Sequence, residues 1–439
     1  MTHKEKRELA QWVIAQAQKH GAREAAVNID LTRALEIEVR DGKLDRMQQS
    51  TQQSLNLDLY VDGRYSSHVT NCLSRAELER FIAETVAMTR FLAADPCRGL
   101  PDPTWYQGRS VQPLDLCDSA LETLPQEQKI ALARELERDA HARDPRIVSC
   151  TASWGDFRNS ALKVHSNGFS GDAETTSVSV YCNVSVKDEN GRPEGYAGGA
   201  TRYLSDQRPC AAIAEEAVRR TLAKLGQKKL KTGRYDLLVE NRTVARLSRM
   251  FVGPISGQAL QQKRSCLDGK LGQAVASEKL TLIDDPLIPR GLNSRHYDYE
   301  GFTARRRPLI ERGVLKTFLI DTYYARKLGL EPTGGSTANV VTELGTRGLA
   351  EMAKGVAQGI LITEFIGGNN NPTTGDFSLG LIGRQIVDGQ IVGGVNEMNL
   401  TGNLLTFWSQ LAEVGADPYP YSSWRMPSML FKDVLVSGI

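Results

Sequence analysis

A chain of 439 residues, 41% hydrophobic and 24% charged, has the composition of a globular protein and enough length for two or three domains with ample core. Its 54 basic and 52 acidic residues leave a formal net charge of +2, which argues against a nucleic-acid binder. The seven cysteines, Cys72, Cys97, Cys117, Cys150, Cys182, Cys210 and Cys266, are scattered without a CxxC pair and point to free thiols in a reducing compartment.

In chain order, the N-terminus MTHKEKRELAQ is charged and amphipathic and lacks the apolar stretch of a signal peptide. No run approaches the roughly 20 apolar residues of a membrane span. A cytoplasmic protein with no membrane contact is expected. Residues 4–20 are predicted as an amphipathic helix stopped by Gly21. The alternating segments AREAAVNIDL and ALEIEVR with the turn Asp41-Gly42, then LNLDLYV and RYSSHVT around Asp62-Gly63, predict hairpins. Ser74 and Glu77 read as a capping box opening a helix to about Leu92.

Residues 95–125 lose periodicity and hold Pro96, Pro101, Pro103, Pro113 and Pro125, so they are the candidate linker. A second cycle follows: a helix over about 126–143, strands broken at Asn167-Gly168 and Asn190-Gly191, and a helix over about 206–225 stopped by Gly226. No sequence repeat accompanies this recurrence of layout. From Tyr235 the strand YDLLVE leads into a helix near 243–252, which Gly253-Pro254 should kink or stop. Strands and glycine-rich turns fill the remainder, with short helices near 322–328 and 403–413 and a closing strand MLFKDVLVS.

Helices and strands arrive in blocks and not in βαβ alternation, so the predicted fold class is α+β. Helices pack on antiparallel strands in the N-terminal half, and the C-terminal half is strand-rich with a few short helices. The expected domains are 1–110, 111–227, with the first two able to form one unit, and 228–439.

The residues offer little local chemistry. None of His3, His20, His68, His141, His165 and His296 is followed by Glu, which excludes an HExxH zinc helix, and no two lie within two helical turns. There is no GxSxG elbow; Gly168-Phe169-Ser170-Gly171 has the wrong spacing. Cys266, between Arg264 and Lys270, is the most electropositive thiol and the candidate for a lowered pKa, against the simpler reading of a plain buried thiol. Asp284-Asp285-Pro286 reads as a turn before an acid–base pair. Lys228, Lys229 and Lys231 read as a solvated loop. The richest loop runs from Gly367, Gly368, Asn369 and Asn370 to Thr374, Gly375 and Asp376; its short polar side chains could lay backbone beside a ligand, or simply join two strands.

Several strings, taken in order, resemble the TldD–PmbA family. They are SCLDGKLG from Ser265 to Gly272, LIDDP from Leu282 to Pro286, Ser294 to Gly301 with Thr303-Ala304-Arg305-Arg306, and YARKLGL from Tyr324 to Leu330. Thr374-Gly375-Asp376-Phe377-Ser378 with Gly383, Gly389 and Gly402-Asn403 completes the C-terminal set, and VRDGKLD and LYVDGR match the layout of the N-terminal half. The resemblance implies a two-part α+β architecture and a heterodimeric zinc peptidase for unfolded or short peptides. In that family the TldD-type subunit carries an HExxxH helix and a cysteine ligand near the C-terminus, and the TldE or PmbA type carries neither. The family alignment puts Gly253 at the first histidine, Pro254 at the glutamate and Gln258 at the second histidine, and no cysteine follows Cys266. Glycine has no ligand atom, proline cannot act as a base, and an amide is a poor zinc ligand.

The resemblance therefore implies a non-catalytic subunit. It has no cofactor of its own, zinc belongs in a TldD-type partner, and the chain forms a homodimer when alone. The loop of residues 367–376 is the candidate substrate-binding segment. The rival readings are a stand-alone homodimeric peptide-binding or scaffold protein and an enzyme using Cys266. The family's other label, modulator of DNA gyrase, implies DNA contact, which the near-neutral charge does not support.

Overall fold

The computed structural model describes residues 1–189 and 191–439, so the predicted Asn190-Gly191 turn lies partly outside the described residues. The first half comprises α1 (His3–Lys19), β1 (Glu24–Arg40), β2 (Lys43–Val61), β3 (Arg64–Thr70), α2 (Arg75–Thr89), α3 (Ala120–Thr123), α4 (Gln126–Ala142), β4 (Ile147–His165), β5 (Ser170–Val186), β6 (Glu194–Thr201) and α5 (Cys210–Leu222). All six strands join one antiparallel sheet in the order β3-β2-β1-β4-β5-β6. The central pairing of β1 with β4 thus unites residues 24–70 with residues 147–201.

Along β1 the residues facing the helices have odd numbers. Ala25, Val27 and Ile29 pack with α1 and α2, while Leu35, Ile37 and Val39 pack with α4 and α5. Side chains alternate across a strand, so both helix pairs cover the same face of one long sheet. The opposite face carries Ala26, Asn28, Asp58, Tyr60, Lys163 and His165 and meets the second half.

That second half contains β7 (Gly233–Val239), α6 (Asn241–Ser248), α7 (Gly257–Gln261), β8 (Leu282–Asp285), β9 (Arg307–Glu311), β10 (Val314–Leu315), α8 (Thr322–Leu328), β11 (Asn339–Val341) and α9 (Leu349–Ala353). Then follow β12 (Gln358–Asn370), β13 (Asp376–Val387), β14 (Gln390–Asn403), α10 (Leu404–Ser409), β15 (Leu411–Val414), β16 (Trp424–Arg425) and β17 (Met429–Ser437). One six-stranded sheet runs β14-β13-β12-β7-β17-β15 and curls until β14 also touches β17. A five-stranded sheet, β10-β9-β8-β11-β16, packs beside it. The core between them is aromatic: Phe407 stacks on Phe431 at 4.3 Å between ring centres, with the fully buried Trp408 edge-on. The fold is α+β, as the block order of elements predicts.

Several local expectations change. The segments AREAAVNIDL and ALEIEVR form one continuous 17-residue strand. Ser74 does precede α2 but makes no side-chain cap bond. The capping box forms instead at Thr2 and Glu5, ahead of α1. The helix expected from 206 begins at Cys210, after a 3-10 turn over Leu204–Asp206. The helix expected over 403–413 ends at Ser409, and its last residues become β15. Asp284 and Asp285 close a strand and are not a turn.

The largest correction concerns the candidate linker of residues 95–125, and above all its residues 95–118. They form a strap fastened across both halves. Asp95 accepts from Tyr323 at 2.9 Å and pairs with Lys327 at 3.1 Å. Arg326 donates to the carbonyls of Cys97 and Leu100. Trp105 stacks on Phe302 at 5.2 Å, and Thr303 Oγ1 donates to the carbonyl of Gln107 at 2.9 Å. Proline removes backbone donors, so such a segment avoids a sheet and binds through side chains and carbonyls.

Candidate functional site

The positions that the resemblance assigns to the zinc motif, Gly253, Pro254 and Gln258, follow α6. This helix buries Val244 and Leu247, passes into a 3-10 turn over Arg249–Phe251, and ends in a turn at Val252–Ile255. Gly253 is exposed and Pro254 is buried within that turn. Ser256 then caps α7 by accepting from the amide of Ala259 at 3.2 Å. Gln258 is the second residue of the new helix and is exposed. The three motif positions therefore lie on two different backbone segments, separated by a proline and a fresh N-cap. A continuous helix would carry two ligands on one side; this chain interrupts it.

The SCLDGKLG string and the glycine–asparagine loop close on the same turn. Ser265 Oγ donates to the carbonyl of Pro254 at 2.6 Å, and the Cys266 amide donates to the carbonyl of Pro372 at 2.8 Å. A Cβ placed on Gly253 would touch Pro372 at 3.5 Å, an ordinary contact, so no crowding demands glycine there. Gly375 has φ +82°, and a Cβ on it would lie 3.3 Å from Cys266 Sγ. Asn403 ties the loop down: its Nδ2 donates to the carbonyl of Thr374 at 2.9 Å and to Asp376 Oδ1 at 3.0 Å. These bonds hold the Asp376 carboxyl below its ordinary range.

Of the candidate loop, Gly367, Gly368, Asn369 and Asn370 belong to the end of β12, where the pairing with β13 shifts between Ile366 and Asn369. Gly368 sits at φ +90° with the Ser378 carbonyl 2.4 Å from where its Cβ would be, so this bulge needs glycine. The loop thus faces two ways. Its Pro372–Gly375 tip meets the vacant turn, while Asn369 and Asn370 border a cleft of about 630 Å³ with Tyr181, Arg249 and Tyr419.

The donor set at the turn does not suit zinc. Glycine, a proline ring and an amide stand at the motif positions, and Cys266 is the neighbouring thiol. Of the two readings of Cys266 the plain thiol is the one the fold supports, because burial pushes the thiol up more than Lys270 lowers it. Asp284 is buried, pairs with Arg307 at 3.1 Å and accepts the Ala338 amide; burial raises its carboxyl, and no pairing with Asp285 results. His165 is buried against Tyr106 and held down to about 3 by burial. Among the described residues, one group of three possible ligands comes within 4.8 Å: Asp41, Glu137 and His141, where the β1–β2 turn meets α4 in the first half. No local spacing in sequence could have joined Asp41 to α4.

A second titratable cluster lies between the halves. Burial raises the Glu300 carboxyl to about 7, and Lys163, whose amine burial lowers, donates to the carbonyl of Tyr299. Sequence reading missed this cluster because its members come from β2, β4 and the loop before β9.

Comparison with known proteins places this geometry. Residues 120–225 match the model of the PmbA/TldA metallopeptidase central domain, and residues 232–438 match that of its C-terminal domain. A solved Bacteroides thetaiotaomicron structure, described as a candidate modulator of DNA gyrase, is 40% identical with full coverage of both chains and a TM-score of 0.97. The chain belongs to the PmbA/TldD family. Metalloprotease PmbA of Escherichia coli O157:H7 is 29% identical over 94% of this chain and 92% of its own. TldE of Thermococcus kodakarensis shares the fold at a TM-score of 0.88 and 21% identity, covering 98% of this chain and all of that one. The Gly253–Gln258 turn, the Cys266 string and the Pro372–Gly375 tip form one locus in this chain, although they are separate in sequence. No helix among the described residues is long and apolar enough to cross a membrane.

Proposed function

We propose that this chain is the non-catalytic, TldE/PmbA-type subunit of a TldD–TldE zinc metallopeptidase that cleaves unfolded or short peptides in the cytoplasm. One observation carries the reading. Gly253, Pro254 and Gln258 offer no zinc donor or general base, and Pro254 with the Ser256 cap splits the segment that would have to present them. The matches to PmbA metalloprotease relatives and to metallopeptidase domain models support the peptidase assignment at family level. Zinc and the general base then come from a TldD-type partner with an HExxxH helix, and this chain supplies surface that closes the chamber and guides substrate. Scattered free thiols fit a reducing compartment. Without the partner the same surface pairs with itself about a two-fold axis.

The test is co-expression with an HExxxH-bearing TldD-type protein, followed by size-exclusion chromatography with light scattering and digestion of an unfolded peptide. A heterodimer should form, and cleavage should appear only in the mixture. Cleavage should vanish when the partner's motif glutamate is changed and persist with Cys266→Ala in this chain. Activity from this chain alone, or a monomer that ignores the partner, refutes the proposal.

A further inference from the structure

A cleft runs between the two halves, and the vacant motif does not account for it. Its wider part, about 630 Å³, is the one bordered by Asn369, Asn370 and Arg249. Tyr196, Arg242 and Arg246 border both this part and a deeper one of about 430 Å³, which continues to Arg219, Arg384 and Gln227. Seven arginines and lysines line the two parts against two carboxylates, Glu240 and Glu364. Those two are already engaged: Glu240 holds Arg220 at 2.7 Å and Glu364 holds Lys224 at 2.6 Å. Arg242 is held by Glu216 at 3.1 Å.

Four cations remain. Among the described residues, Arg219, Arg246, Arg249 and Arg384 have no carboxylate within 4.0 Å. Arg246 reaches only the carbonyl of Gly367, and Arg384 reaches the carbonyls of Ile391 and Val392. In a chain of net charge +2 this is a concentration of one sign in one concave place. Like charges gathered in a cleft repel each other and are relieved by a ligand of opposite charge.

The cleft also presents backbone. β6 is the outer strand of the first sheet, paired with β5 on one side only, and its Gly195 and Tyr196 border the cleft. Two carbonyls of that strand are already taken, Glu194 by Lys224 Nζ at 2.6 Å and Gly198 by the Tyr419 hydroxyl at 3.0 Å, so the stretch between them, around Tyr196, is what is left to meet an extended chain through main-chain hydrogen bonds. Glu240 and Glu364 interrupt the row of cations, which suits spaced carboxylates better than a continuous phosphate backbone.

We infer that this cleft binds an extended acidic peptide segment, its backbone beside Tyr196 of β6 and its carboxylates on Arg219, Arg246, Arg249 and Arg384. For its biological role this rests on the peptidase-subunit reading, since it names the substrate class that the subunit admits. Guanidinium–carboxylate pairs at a partly enclosed site supply both affinity and choice of sequence.

Fluorescence anisotropy on the full chain tests it, with a labelled unstructured decapeptide containing four glutamates, its glutamine twin, and a labelled ten-nucleotide oligothymidine. The glutamate peptide should bind at least about tenfold more tightly than the glutamine twin at low salt, with the gap closing as salt rises. The double variant Arg219→Gln, Arg246→Gln should erase most of that preference while keeping the wild-type circular dichroism spectrum. Arg249→Gln, in the wider part, gives the same reading should the double variant misfold. Equal binding of the two peptides, or a preference untouched by these variants, overturns the inference. Tighter binding of the oligonucleotide through the same arginines overturns it too. A chain that pairs with a TldD-type partner yet shows no glutamate preference refutes this inference alone. A chain that ignores the partner but keeps the preference refutes the subunit reading alone.

Discussion

At the scale of single residues, the Ser256 cap sets Gln258 on a helix apart from Gly253 and Pro254. Gly253 has no ligand atom, Pro254 cannot act as a base, and the amide of Gln258 is a poor zinc ligand. Cys266 is a candidate for activation only through Arg264 and Lys270, which flank it in sequence. In the fold Arg264 is exposed, and burial of the thiol outweighs Lys270. The cleft arginines were invisible for the converse reason: residues 219, 246, 249 and 384 are brought together by packing and by no motif. The interrupted helix gives a sharp expectation. The triple variant Gly253→His, Pro254→Glu, Gln258→His restores three side chains of an HExxxH motif. Gly253 and Gln258 nevertheless remain on two segments joined through the Ser256 cap, and a third protein ligand is lacking. Isothermal titration should find at most weak zinc binding, and a peptide digest should find no cleavage. Robust hydrolysis by the triple variant would show that the site can be rebuilt from its helix alone.

At the scale of elements, long periodic segments were legible and the strap was not. The ends of α1, α4, α8 and β17 fall within a residue or two of expectation, because each has a strong apolar period and a clear stop. Proline content over residues 95–125 speaks against long periodic elements, and the segment holds only the 3-10 turn Pro103–Tyr106 and the four-residue α3, yet it says nothing about whether such a segment is tethered. Here the tethers are Trp105 on Phe302, Arg109 over the rings of Phe169 and Tyr297, and Tyr323 and Lys327 on Asp95. Native trypsin digestion should therefore spare Arg98 and Arg109, although both lie in a proline-rich stretch of the kind that is cut in flexible linkers. Trp105→Ala removes a half-buried stacked ring, a loss on the order of 1–3 kcal/mol of local stability, and cleavage at both arginines should accelerate at least about tenfold. Rapid cutting of the wild-type chain at these sites would restore the linker reading.

At the scale of the molecule, the two halves are joined by buried ion pairs along the cleft as well as by the strap, and this decides how the chain should unfold. Arg220 on α5 donates to both carboxylate oxygens of Glu240 at 2.7 Å and to the carbonyl of Thr363 on β12, so one side chain from the first half holds two segments of the second. The pair is largely shielded, with side-chain exposures of 12% and 17%, and burial would disfavour the arginine charge were Glu240 not beside it. Removing one member of such a pair leaves the other desolvated and unmatched, which costs roughly 2–4 kcal/mol at this degree of burial, whereas replacing both by apolar groups costs much less. Arg220→Ala should therefore lower the melting temperature and split one cooperative calorimetric transition into two, as the halves lose their coupling. The double variant Arg220→Met, Glu240→Leu should recover most of the lost stability and the single transition. An Arg220→Ala protein that melts as one unit at the wild-type temperature would show that the Arg220–Glu240 pair does not couple the halves, and that the strap and the remaining pairs, Arg242 with Glu216 and Lys224 with Glu364, suffice to hold them together.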